Sequence, residues 1–170
     1  MITAYLDESE QSSVIKYMAV AGFFGTDAQW SALTPDWLAG LERRKRLHMN
    51  ELRINSKPAR AKRLLDRLGP LPYKHGLKPL CCTVRVADYL DLIEDGDLAA
   101  KALHGYSMCF TGVLHALNEI IPGHESIKIV CEEQKEHGYE AYRHYRAITI
   151  KMSRPAKPYF AGIEFIPKDS

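Results

Sequence analysis

"ITAYLDESEQSSVIKYMAVAGFF", residues Ile2 to Phe24, is the stretch on which the fold turns. Ile2 to Leu6 is a short apolar run, and Val14 to Phe24 is a longer one rich in β-branched and aromatic residues, the composition of strands. Gln11, Ser12 and Ser13 supply the turn between them, so the stretch reads as an N-terminal β-hairpin. The break carries more charge than a turn needs. Asp7 and Glu8 follow the first strand directly, where Gly or Asn would have ended it uncharged.

After Gly25, Thr26 or Asp27 can cap a helix to about Arg46, with Trp30, Leu33, Trp37, Leu38 and Leu41 three to four residues apart. Pro35 marks an alternative, later start. Lys57 to Leu68 is a second amphipathic helix, with Ala61, Leu64, Leu65 and Leu68 as its apolar stripe and Gly69–Pro70 as its end. Leu80 to Val86 reads as a strand and Asp88 to Ile93 as a helical turn. Leu98 to Ile121 reads as a long helix, with Tyr106, Phe110, Val113 and Leu117 at helical spacing. Ile127 to Cys131 is a short strand that runs into Glu132 and Glu133, Tyr139 to Met152 is helical, and Tyr159 to Ile166 is the last strand. That order predicts an α/β fold: a mixed sheet of about five strands flanked by helices, partly parallel because helices cross over between the later strands.

At 170 residues, 46% hydrophobic and 26% charged, the chain fits one domain spanning residues 1–170 with a continuous core. It shows no secretory signal and no run of about 20 apolar residues that a membrane helix needs. Cys81, Cys82, Cys109 and Cys131 form no CxxC pair and lie in apolar surroundings, which predicts reduced, buried thiols and a cytoplasmic location. The net charge of +2 is unevenly spread. Ten basic residues against two acidic ones between Arg43 and Arg67 give a local +8, so the remainder carries −6. Such asymmetry fits a polyanion-facing stretch and a separate acidic site, although a solvated helix face has the same composition.

Asp7 and Glu8, Glu132 and Glu133, and Asp169 all follow strands, and Glu51 in HMNEL makes a fourth acidic place. If the first and fourth strands are parallel neighbours, their acidic ends meet at one sheet edge, where ligand sites of α/β sheets lie. Gathered carboxylates repel unless a cation neutralises them, and hard oxygen donors suit Mg²⁺ or Mn²⁺. Glu8, of opposite strand parity to Asp7, should point away. A zinc site has no HExxH or Cys/His spacing behind it, no Gly-rich phosphate loop is present, and no GxSxG elbow supports a serine hydrolase. His48 beside Glu51 is a candidate proton shuttle, while His137 and His144 read as packing.

The motifs YLDES, VAGFF, HMNEL, IKIVCEEQ and IEFIPKDS, in this order over most of the chain, resemble the family known as domain of unknown function 3800. The resemblance implies a ribonuclease H-like fold and a divalent-metal-dependent nuclease that hydrolyses phosphodiester bonds. Asp7 would bridge two cations, Mg²⁺ or Mn²⁺, and Glu51, Glu132 and Asp169 would complete their shells. Arg43, Arg44, Lys45, Arg46, Arg53, Lys57 and Arg60 would hold the phosphates of DNA or RNA without reading bases. Glu10 stands near a position where the family often has Gly, and Glu132 where it commonly has Asp. The family pattern continues into a helix with a Gln-x-Ala-Asp motif, whereas this sequence stops at Ser170, so the expectation is either a truncated chain or a member that lacks a carboxylate and that helix. The alternative expectation is a non-catalytic nucleic-acid-binding or assembly module with an incomplete metal site. Homo-oligomerisation stays open.

Overall fold

The computed structural model describes residues 1–8, 17–42, 44, 46–47, 52, 57–85, 88, 98–132, 142–143, 145–147 and 159–166. Its elements in chain order are β1 (Ile2–Glu8), β2 (Tyr17–Thr26), α1 (Asp27–Leu41), α2 (Pro58–Leu68), α3 (Leu71–Lys74), β3 (Lys78–Arg85), α4 (Leu98–Ile120), β4 (Ser126–Glu132) and β5 (Tyr159–Ile166). The five strands form one sheet in the order β3-β2-β1-β4-β5. β2 lies beside β1, as the expected hairpin requires. β4 runs parallel to both β1 and β5. The architecture is the α/β mixed sheet expected from the sequence. The turn at Gln11–Ser13 lies outside the described residues, as does the helical turn expected after Asp88. Of the helix expected over Tyr139–Met152, residues 142–143 and 145–147 are described and are helical.

The chain divides into two compact units, one of Met1–Phe24 with Pro79–Ser170 and one of Gly25–Lys78. In the first unit, strand parity decides what is buried. Ala4 and Leu6, Met18, Val20 and Phe24, and Ile127, Ile129 and Cys131 join Cys109, Phe110, Val113, Leu114 and Leu117 of α4 in one core. Burying each large apolar side chain of this set stabilises the fold by about 1.5–3 kcal/mol. α4 lies close to the sheet because Gly112 has no side chain: a Cβ there would sit 2.6 Å from Cys82 Sγ. One turn earlier, Cys109 Sγ donates to the Met18 carbonyl at 3.5 Å. At the far edge, Tyr145 packs edge-on against Phe160, ring centres 6.1 Å apart, and donates its hydroxyl to the Phe160 carbonyl. β5 carries one extra residue opposite the step from Ile127 to Lys128, since Ile127 pairs with Phe160 and Lys128 with Gly162.

The second unit has its own core of Leu41, Leu52, Ala61, Leu64 and Leu68, flanked by Trp37 and Leu71. α1 starts at Asp27 because Thr26 forms a capping box. Gln29 N donates to Thr26 Oγ1, and Thr26 N donates to Gln29 Oε1. Pro35 therefore lies inside the helix and does not start it. The helix ends at Leu41, short of the expected Arg46, because Glu42 turns to φ 58°, outside the helical region. Asp36 accepts from Lys74 Nζ at 2.8 Å and is 2.9 Å from His75 Nε2, tying α1 to the end of α3. These hydrogen bonds hold the Asp36 carboxyl below the usual carboxylate range. α3 is a helix the sequence pattern does not announce, a single turn opening at Pro70.

Candidate functional site

β1 and β4 are in register from Ile2↔Ile127 to Leu6↔Cys131. One further step along both strands sets Asp7 beside Glu132. Because the strands are parallel, both carboxylates arrive at the same carboxyl edge of the sheet, where crevices of open α/β sheets bind ligands. Leu6 and Cys131 face α4, so Asp7 and Glu132 belong to the opposite face. Asp7 is exposed and Glu132 half-buried. Asp7 Oδ1 accepts the Glu8 N–H at 2.9 Å, which orients the carboxylate at the strand end. Among the described residues no basic side chain pairs with either group. Two like charges at adjacent positions on neighbouring strands destabilise each other, and a bound cation removes that cost.

Glu8 has the parity of Ala4 and Leu6 and turns to the α4 face, as its opposite parity to Asp7 requires. Its Oε1 is shut off from solvent. The surrounding groups register its charge. Burial, then Glu8, then Asp7 push the Cys131 thiol up to about 12. Burial, then Cys131 and Glu8, also raise the Tyr106 hydroxyl. Both stay protonated near neutrality, so Cys131 is not a nucleophile despite its place next to the carboxylates.

Of the other expected ligands, Glu51 and Asp169 lie outside the described residues, as do Glu133 and the histidines His48, His137 and His144. In the basic stretch, Arg43, Lys45 and Arg53 also lie outside them. Arg46, Lys57 and Arg60 are exposed and Arg44 is half-buried, all in the second unit. Among the described residues no group of three or more His, Cys, Asp or Glu is arranged to hold a metal ion. What the sequence does not single out is Glu42 and its pairing with Arg67. The two are 25 positions apart, and no short-range spacing rule joins them.

The expectation that all four thiols are buried needs correction. Cys109 and Cys131 are buried and Cys82 is half-buried, but Cys81 is exposed, because successive strand residues alternate between faces. Burial first, then Cys82, pushes the Cys109 thiol up to about 11. At pH 8, iodoacetamide followed by mass spectrometry should modify Cys81 and spare Cys109 and Cys131 until the protein is unfolded. The sign of the linkage follows from the raised values. The neutral thiols stabilise the fold fully below about 9, and that contribution falls away as pH rises through about 11 to about 12. Equal labelling of all four in the native state would refute this burial.

No family model and no curated protein matches the chain. Solved structures do. The chain is similar to a chain of the PCNA:RNase HII complex from Archaeoglobus fulgidus, at 12% identity and a TM-score of 0.46, over 99% of this chain and 64% of that one. It is also similar to a mutant protein of Bst-RNase HIII, at 9% identity and a TM-score of 0.48, over 97% of this chain and 45% of that one. The chain thus spans less than two thirds of either neighbour. The α/β fold class rests on the sheet itself: β2 on one side of β1, and β4 and then β5, parallel to it, on the other. Among the described residues no helix is long and apolar enough to cross a membrane.

Proposed function

We propose that this chain is a divalent-metal-dependent nuclease of the domain of unknown function 3800 family, acting on DNA or RNA in the cytoplasm. The observation that carries the reading is the juxtaposition of Asp7 and Glu132 at one edge of the sheet, reached by parallel strands in register. Their donor set fits the cation. Both offer hard carboxylate oxygens, and Mg²⁺ is commonly held by one or two carboxylates with the rest of its shell left to water and substrate phosphate. Asp7 and Glu132 would hold it, joined by Glu51 and Asp169. When bound, such an ion stabilises the negative charge that develops on phosphoryl oxygens during hydrolysis. Arg44, Arg46, Lys57 and Arg60, with Arg43, Lys45 and Arg53, would neutralise backbone phosphates and position the polymer without reading its sequence.

The test is addition of Mn²⁺ or Mg²⁺ to metal-free protein, followed by thermal unfolding and by cleavage assays on single- and double-stranded DNA and RNA. An ion at about 100 times its Kd, bound only by the folded state, adds about 2.7 kcal/mol, or about 5–10 °C in a chain of this size. A melting temperature that stays flat across millimolar metal, with no metal-dependent cleavage, would overturn the enzyme reading. Retained oligonucleotide binding in that case would mark a binding module.

A further inference from the structure

A second charge cluster lies in the Gly25–Lys78 unit, where α1 gives way to the basic stretch. Glu42 closes α1 at φ 58° and ψ −114°, a conformation that favours glycine and is costly for a residue with a Cβ. Its Oε1 accepts a hydrogen bond from Arg67 Nη1 at 2.5 Å. Arg67 first, then Arg60 and Arg44 through their charge, hold the Glu42 carboxyl below the usual carboxylate range. One guanidinium thus bonds the carboxylate and two more act on it through their charge alone, so two positive charges are left over. Among the described residues neither Arg44 nor Arg60 has an ion pair of its own. Lys57, Arg60, Arg63 and Arg67 recur three to four residues apart, so they share one exposed side of α2. Lys62 and Asp66 pair with each other at 2.6 Å on another side.

Stability does not account for Glu42. Exposed ion pairs contribute little, and here one is kept on a strained backbone. Guanidinium forks bind carboxylate and phosphate in the same planar, two-pronged manner. We propose that Glu42 is an internal stand-in for phosphate, occupying the Arg44–Arg60–Arg67 cluster until a phosphodiester of a nucleic-acid backbone displaces it. The choice of polymer rests on the function proposed above; the cluster itself does not. The carboxylate keeps the basic stretch partly neutralised in the free protein and yields its guanidiniums to a ligand of higher charge density.

The test compares Glu42→Gln, Glu42→Gly and Asp66→Asn with the parent chain. Each removes one negative charge, and only the first two remove it from the cluster. Binding of a labelled oligothymidylate of about 20 nucleotides is measured by fluorescence anisotropy across a salt series without divalent metal. Without Glu42 one more net positive charge meets the strand, which steepens the log–log salt slope for a single strand by about 0.7, or about fivefold tighter binding per tenfold drop in salt. Both Glu42 variants should show that change, and Asp66→Asn should not. Glu42→Gly also removes the backbone strain, so it keeps the test open if the Gln variant folds poorly. An unchanged slope in the Glu42 variants, or an equal gain in Asp66→Asn, would overturn the proposal. Titration with inorganic phosphate separates the sources, and a gain confined to it would overturn the backbone assignment. Failure of the nuclease reading would show as lost metal-dependent cleavage, with the metal-free oligonucleotide gain intact.

Discussion

Asp7→Asn should abolish metal-dependent cleavage and the metal-induced rise in melting temperature together, while making the metal-free protein slightly more stable. The opposite signs come from one cause. In the metal-free protein Asp7 and Glu132 are like charges at adjacent positions of paired strands, a placement that costs about 0.2–1 kcal/mol. Asparagine keeps the size and shape, removes that repulsion, and should raise the metal-free melting temperature by about 1–3 °C in a chain of this length. The same change takes away half the described anionic donor set. Losing the charge that holds the ion should lower cleavage by at least about a hundredfold, the scale on which a single charge-stabilising group acts in a transition state. Calorimetry with and without Mn²⁺ reads both effects on one protein, and Glu132→Gln should behave alike. A variant that keeps cleavage would remove Asp7 from the site. One that loses metal-free stability would show that the two carboxylates do not repel, and so are not neighbours.

The sheet and the Asp7–Glu132 pair were legible because both depend on short-range pattern. Alternation in ITAYL and IKIV marks the strands, and carboxylates soon after each, Asp7 and Glu132, fall in the last residues of β1 and β4. Parallel pairing needed one more inference, the helical crossover, which fixes direction and so brings the two strand ends to one edge. Elements set by distant partners were less legible. The end of α1 is decided by the turn at Glu42, whose carboxylate is held by Arg67 from α2, so a helical pattern that continues to Arg46 in sequence stops at Leu41 in space. Pro35 looked like a start signal because proline suits a first turn. The stronger local signal was the reciprocal pair of Thr26 and Gln29, which begins the helix eight residues earlier. Cys81 and Cys82 read as one buried pair, yet a strand sends neighbours to opposite faces.

Gly22 shows the same limit with a larger consequence, and Gly22→Ala should be among the most damaging single-methyl additions in the chain. Nothing in VAGFF distinguishes this glycine from a tolerated one. In the sheet, a Cβ at Gly22 would lie 1.8 Å from the Tyr5 carbonyl oxygen, 2.8 Å from its carbon and 3.0 Å from Leu6 Cα. All three atoms are backbone, so no rotamer change relieves the clash and β2 must draw away from β1. The expected cost is about 3 kcal/mol, the upper end for forcing an extra methyl into a packed site, or about 6–12 °C in melting temperature. Gly162→Ala is the matched control, because a Cβ there meets nothing within 4 Å. Alanine at that strand position should be neutral or stabilising by up to about 1 kcal/mol. The effect should also reach the site. Tyr5 and Leu6 immediately precede Asp7, and β1 holds Asp7 beside Glu132 only while it keeps its register with β4. Gly22→Ala should therefore bind Mn²⁺ more weakly even below its lowered melting temperature, while Gly162→Ala binds it as the parent does. If the two alanine variants melt within about 2 °C of each other, the close approach of β2 to β1 is wrong, since about 3 kcal/mol cannot hide in so small a difference.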